Sequence, residues 1–245
     1  MSDVTTVHPP TRSFQPRRRA LPPKRADRYQ VLMARWSLTV DGEMLRFDEL
    51  FAAMSPTASD MAGNAASNKA GTAPDVVLDI GFGGGEGLVD LAAARPGEAI
   101  IGLDVHTPGV ATVVEAIDDN GWQHVRVVEG DVLELLPRIP LGSLAGVRLY
   151  FPDPWLKNKQ RHRRLARPDV VSSLVDRLRI GGTFHVATDI VDYAKQTLAV
   201  CAAEPRLRGG VIPRPQWRPE TRFERRGLAA GRQPTDLLFE RVEPR

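Results

Sequence analysis

From residue 76 onward, apolar runs of about five residues alternate with stretches in which apolar positions recur every three or four. The runs at 76–80, 99–104, 124–129, 146–150 and 183–187 predict strands. The periodic stretches predict helices near 86–94, 108–120, 168–178 and 190–203, with a short helical turn at 132–136. A helix-like segment near 219–229 then leads to a last strand at 236–242. Short apolar strands alternating with helices imply an α/β domain whose mostly parallel sheet is covered by helices on both faces. Ahead of it the pattern fades. Residues 1–28 form a basic arm, rich in Pro, Arg, Thr and Ser and expected to be disordered without a partner. Residues 29–74 combine scattered apolar positions, enough for one or two short helices, with a small-residue linker at 55–74. The α/β domain takes up 75–245.

Composition narrows the class. An apolar fraction of 42% over 245 residues fits one main globular core. The single Cys201 excludes an intramolecular disulfide, and no apolar run has the length that spans a bilayer. With polar first residues and no apolar leader, a cytoplasmic location is expected. Five His and one Cys, scattered, predict no metal site. Net charge is only +3, but unevenly placed: between 75 and 135 twelve acids face Arg95 and Arg126 alone, whereas 12–28 holds seven cations against Asp27. The stretch 206–232 is again Arg-rich. Such asymmetry points to two ligands, a cationic small molecule and a polyanion, unless it reflects only a genomic base bias.

The segment VVLDIGFGGGEG puts a strand before a glycine turn and then a helix. Gly81, Gly83 and Gly85 permit a tight turn and close approach of backbone to a ligand. The dinucleotide spacing G-x-G-x-x-G/A fails, because Glu86 stands where its last small residue belongs. Asp79, still inside the strand, would repel a pyrophosphate but attract the ammonium and sulfonium groups of S-adenosyl-L-methionine. Asp104 ends the next strand, where an acid accepts both ribose hydroxyls, and Asp131 in EGDV follows the third, within reach of an adenine amino group. Taken singly, each acid also reads as a helix cap or a solvated loop residue. Taken in order, they line the edge at which open α/β sheets bind ligands.

The stretch VRLYFPDPWLKNKQRHRRL runs from a strand into Asp153, held between Pro152 and Pro154, and then into six cations with no acid before Pro168. The prolines restrict the backbone and present a carboxylate at the lip of a cleft. The basic tract suits a phosphate-rich substrate. The bland alternative is a Pro-terminated strand followed by a solvated loop.

LDIGFGGGEG, GLDVH, EGD, FPDPW-x-K, RHRRL, HVATD and RPETRFERRG together make the chain resemble the bacterial tRNA (guanine-N7)-methyltransferases, a class I S-adenosylmethionine-dependent family, from about 76 to 241. The resemblance implies a Rossmann-like sheet with an antiparallel final strand and S-adenosyl-L-methionine as cofactor. The implied product is 7-methylguanosine in the tRNA variable loop, at tRNA position 46. It assigns Asp79, Asp104, Asp131 and Asp153 to the cofactor or the transfer centre, and Lys157, Asp189, Thr221, Arg222, Phe223 and Glu224 to the guanosine. Family members commonly carry His where this chain has Leu156 and Gln160, and Glu at the first two acids.

Guanine N7 attacks through an in-plane lone pair and loses no proton, so alignment and charge stabilisation replace a general base. Asp153 is the expected catalytic carboxylate. Glu224 and Asp189 are expected to accept from guanine N1 and its amino group, with Phe223 either on the base or in the core. Lys157, Lys159, Arg161, Arg163 and Arg164 are expected on tRNA phosphates. A non-catalytic tRNA-binding protein of this fold and a methyltransferase acting on another RNA base remain the alternatives, and monomer and homodimer both stay open.

Overall fold

The structure, a computed structural model, describes residues 20–54 and 74–243. The arm before residue 20 and the linker at 55–73 therefore lie outside the described residues. Sixteen elements follow in chain order: α1 (Pro23–Trp36), β1 (Ser37–Leu38), α2 (Phe47–Leu50), β2 (Val76–Ile80), α3 (Glu86–Ala94), β3 (Ala99–Asp104), α4 (Thr107–Asn120), β4 (Val125–Glu129), α5 (Val132–Leu135), β5 (Leu144–Tyr150), α6 (Pro168–Arg177), β6 (Leu178–Thr188), α7 (Val191–Ala203), β7 (Leu207–Ile212), α8 (Arg222–Ala229) and β8 (Thr235–Arg241).

The eight strands form one sheet in the order β1-β4-β3-β2-β5-β6-β8-β7. Pairs from β1 to β6 are parallel, while β8 runs antiparallel to both β6 and β7. Strand order reverses direction at β2, which lies between β3 and β5. Diverging crossovers leave a crevice beyond the carboxyl ends of such strands.

Alternation of side chains splits the apolar residues into two layers. On one face Leu78, Ile101, Val147, Phe184 and Phe239 pack with α2, α5, α6 and α7. On the other, Ile100, Val125 and Val127 pack with α1, α3 and α4. Helices thus cover both faces, as the strand pattern predicts. Over β5, β6 and β8 the second face carries instead a polar layer, sealed by Trp217 and the segment leading into α8.

Two features differ from the sequence reading. First, α1 begins at Pro23, inside the segment assigned to the basic arm, with proline in its first turn where no amide is needed. Its Tyr29, Leu32 and Trp36 are buried. Arg25 donates to Glu115 at 2.9 Å, Arg35 to Asp118 at 3.2 Å, and Arg28 pairs with Asp119. Part of the charge asymmetry is therefore spent inside the molecule, between α1 and α4. Second, β7 was not expected: its sequence LRGGVI has two glycines and little strand propensity, and an edge position against β8 supplies the pairing that the sequence does not advertise.

Candidate active site at the carboxyl edge of the sheet

The glycine turn is built by interactions from β3 and α4. Gly81 N–H donates to Leu103 O at 2.7 Å, and Gly83 N–H to Asp104 Oδ2 at 2.6 Å. Asp104 Oδ1 accepts from His106 N–H at 2.7 Å, and the His106 ring Nδ1 lies 3.1 Å from Gly83 O. Gly83 has φ +64°, a left-handed conformation that glycine adopts without penalty. Gly109, in the first turn of α4, sits so close that a methyl group there would collide with the Gly83 carbonyl. Sequence reasoning passed over Gly109, although its place behind Pro108 at a helix start was the available signal.

Asp104 and Asp131 stand at neighbouring strand ends. Ile80 pairs with Leu103 and Asp104 with Glu129, which sets the ends of β2, β3 and β4 side by side. Asp131 follows β4 as the N-cap of α5 and accepts from Leu133 N–H at 3.1 Å. Burial pushes Asp79 up to about 6, with Arg148 pulling it back and Asp104 and Glu98 pushing it further. Burial also holds Asp104 above the ordinary carboxylate range, although the amides of Gly83 and His106 favour its ionised form. Two buried carboxylates raised in this way are poised to gain from a cation. Among the described residues, no group of three or more His, Cys, Asp or Glu is placed to hold a metal.

The FPDPW loop caps the end of β5. Phe151 and Trp155 have φ of +50° and +42°. Left-handed backbone at a non-glycine residue costs ~1–2 kcal/mol, so this loop stores strain on both sides of Asp153. Phe151 N–H donates to Ala187 O at 2.7 Å, fixing the loop to the end of β6. Trp155 is buried under Arg163, whose Cζ stands 5.0 Å from the ring centre.

Arg164 departs from its expected role. It is 1% exposed and donates to Pro154 O at 2.9 Å, Gln196 Oε1 at 2.7 Å and Asp192 Oδ2 at 2.8 Å. Rather than meeting phosphates, it ties the loop to α7. Lys157, Lys159 and Arg161 are exposed on the 3-10 turn Asn158–Arg163 and its approach, and Arg163 is half-buried.

The segment from 213 to α8 closes the other side. Thr221 caps α8 by accepting from Glu224 N–H at 3.1 Å. Phe223 is 44% exposed, so it is not a core residue; a methyl group on Gly83 would lie 2.9 Å from its Cε2. Its ring therefore overhangs the glycine turn, and Arg222 beside it is exposed.

Glu224 also departs from its expected role. It turns inward, 1% exposed, and receives Arg218 Nη1 and Nη2 at 2.8 and 2.7 Å and Arg214 Nε at 2.8 Å. Burial opposes its ionisation, but the two guanidinium groups outweigh that and hold its pKa below the ordinary range. Arg218 also reaches Asp236, which accepts from His185 Nε2 at 2.8 Å, and the His185 Nδ1 accepts from Tyr150 Oη at 2.8 Å. Glu224 is thus an anchor of α8, with no oxygen turned to a base. Asp189, at the end of β6, accepts from Arg232 Nε at 2.7 Å and packs under Gly227 of α8.

The carboxyl edge of the sheet thus carries the glycine turn with buried acids, and beyond the FPDPW loop a row of exposed cations. A family model described as "Putative methyltransferase" matches residues 73–237. The tRNA (guanine-N(7)-)-methyltransferase of Streptomyces avermitilis is 42% identical over 240 residues, 96% of this chain and 76% of that one. That of Bordetella pertussis is 38% identical over 235 residues, 94% and 85% of the two chains. The chain belongs to the tRNA (guanine-N7)-methyltransferase family. Among solved structures, a variant of the 16S rRNA (adenine(1408)-N(1))-methyltransferase from Catenulisporales acidiphilia, determined with cosubstrate SAM, superposes with TM-score 0.50 at 16% identity. It covers 82% of this chain and 93% of that one, which marks the shared fold. Within the family signature, RPETRFE now divides by position: Arg218 and Glu224 face inward, Arg222 and Phe223 outward.

Proposed function

We propose that the protein transfers the methyl group of S-adenosyl-L-methionine to N7 of a guanosine in the variable loop of tRNA. The observations that carry this reading are the buried carboxylates of Asp79, Asp104 and Asp131 near the glycine turn, and the exposed Lys157, Lys159 and Arg161 that follow the FPDPW loop.

The donor set fits a cationic nucleoside. Asp79 faces the ammonium and sulfonium end, Asp104 the ribose and Asp131 the adenine, with the amides of Gly81–Gly85 close by. When bound, the donor supplies an electrophilic methyl on a positively charged sulfur. Asp153, fixed by Pro152, Pro154 and the strained ends of its loop, holds negative charge where the purine becomes cationic. No proton need be removed, so the site's work is alignment and exclusion of water. Phe223 and Trp155 supply apolar walls. The oxygen of Asp189 not taken by Arg232 accepts from the guanine edge, which adenine cannot satisfy.

Lys157, Lys159, Arg161 and Arg163 meet backbone phosphates, and Thr221 and Arg222 the substrate strand at the head of α8. RNA is then recognised by shape and one accessible base. No helix among the described residues is long and apolar enough to cross a membrane; the cytoplasm is the compartment in which this substrate is met. The test is transfer of labelled methyl to unmodified tRNA with nucleoside analysis and a variable-loop guanine-to-adenine control. Methylation of another base would favour the second reading, an RNA methyltransferase of different specificity.

A further inference from the structure

Asp79 and Arg148 are register partners on the neighbouring parallel strands β2 and β5, so their side chains leave the same face of the sheet. Each is 5% exposed. The guanidinium is nonetheless not spent on the carboxylate. Arg148 Nη2 donates to Glu98 Oε2 at 2.5 Å, its Cζ lies 5.3 Å from the Trp217 ring centre, and no ion pair within 4.0 Å joins it to Asp79 among the described residues. Its Nη1 is buried without a hydrogen-bond partner there. Glu98 is shared in turn with Arg95, at 3.2 Å, and the Arg95 Cζ lies 5.0 Å from the same Trp217 ring.

An arginine in the middle of an otherwise apolar strand, held from the side by an acid and an aromatic ring, needs a reason. Burying a guanidinium is costly unless its charge is used. Beside the phenol of Tyr150 on β5, the charged groups acting on Asp79 among the described residues are Arg148 on β5, Asp104 at the end of β3 and Glu98 ahead of β3. Two of the three are negative. Arg148 is therefore the cation that offsets them, and it does so without a direct ion pair to the carboxylate.

We infer that Arg148 is a positioning residue of the donor site: held by Glu98 and Trp217, it keeps Asp79 ionised without pairing with it, so that Asp79 meets the cationic end of the methyl donor as a carboxylate. The inference rests on the methyl-donor reading above. A direct Arg148–Asp79 pair would neutralise the acid and weaken its pull on the ligand. An apolar residue at 148 would leave Asp79 among two other acids and favour its proton at neutral pH.

The test is the dissociation constant of S-adenosyl-L-methionine from pH 5.5 to 9, by calorimetry, for the wild type, Arg148→Met, Arg148→Lys and Glu98→Gln. The wild type loses affinity toward acid pH. Arg148→Met moves that loss upward by about one pH unit, a tenfold weaker affinity in the shifted window, with recovery to within about threefold at pH 9. Arg148→Lys follows the wild type. Glu98→Gln, which removes an acid and frees the guanidinium, moves the loss the other way. Equal weakening of Arg148→Met at every pH, or no movement in Glu98→Gln, overturns the inference. If Arg148→Met does not fold, Arg148→Gln, which removes the charge and keeps a polar side chain, is read in its place: the same upward movement supports the inference, and a curve that overlies the wild type overturns it. A carboxyl carbon NMR titration, with the Asp79 signal assigned by its absence in Asp79→Asn, reads the same shifts without ligand. Failure of the wild type to bind the donor would refute the proposed function and still leave Arg148 tested on its own.

Discussion

Replacing Glu224 by Gln separates an anchor from a base reader. In the structure its carboxylate receives three guanidinium N–H groups, two of them from Arg218, whose side chain is wholly buried. Gln keeps the shape and one acceptor but removes the charge, leaving Asp236 as the anion that balances Arg218. Breaking a buried ion pair from one side costs about 3–5 kcal/mol, and the surviving Asp236 contact puts this case near 3. For a protein of this size each kcal/mol lowers the melting temperature by about 2–4 °C, so a drop of about 6–12 °C is expected. The assay is a thermal melt followed by methyl transfer to matched guanine and adenine substrates at a temperature where the variant is folded. Because Thr221 and Phe223 ride on the same helix, KM for tRNA should rise while preference for guanine persists. A variant that melts within 2 °C of wild type yet loses its guanine preference would refute the anchor role and return Glu224 to the base.

Arg164→Ala, which removes bonds to Pro154, Gln196 and Asp192, should destabilise the FPDPW loop and lower kcat more than tRNA affinity, read by single-turnover rates beside filter binding. Lys157→Ala with Lys159→Ala should do the reverse, weakening tRNA binding and flattening the log–log salt dependence by about one per charge removed. Asp79, raised to about 6 against an ordinary 3.8, holds its proton more tightly folded than unfolded. Its contribution to stability is therefore present below pH 3.8 and lost as pH rises through 6, ~3 kcal/mol at most. A cationic ligand favours the ionised form, so donor binding near pH 6 should release part of a proton and near pH 8 none, read by calorimetry in buffers of different ionisation enthalpy.

Strands β2 and β3 and helix α3 were legible to the residue, because apolar runs between a glycine turn and acidic strand ends leave little choice of register. The same positions made Asp79, Asp104, Asp131 and the FPDPW loop legible as one edge of the sheet. What the sequence concealed is which charges are buried. Arg164 reads as one more cation in a basic tract, and only Asp192 and Gln196, nearly thirty or more residues on, turn it inward. Glu224 sits among arginines of an exposed amphipathic helix, and its partner Arg218 is buried through Asp236 on β8, a long-range contact no local pattern announces. The start of α1 was missed for a related reason: Arg25 and Arg28 look like an arm until the acids of α4 are opposite them.

The most direct test of the account is methyl transfer from S-adenosyl-L-methionine to an unmodified tRNA transcript, wild type beside Asp153→Asn. The account predicts 7-methylguanosine with the wild type, absent when the variable-loop guanine is changed to adenine, and a rate in Asp153→Asn lower by at least about a hundredfold with donor and tRNA affinities each within a few-fold. A wild type that binds both ligands and makes no 7-methylguanosine, or an Asp153→Asn variant that makes it at the wild-type rate, would contradict it.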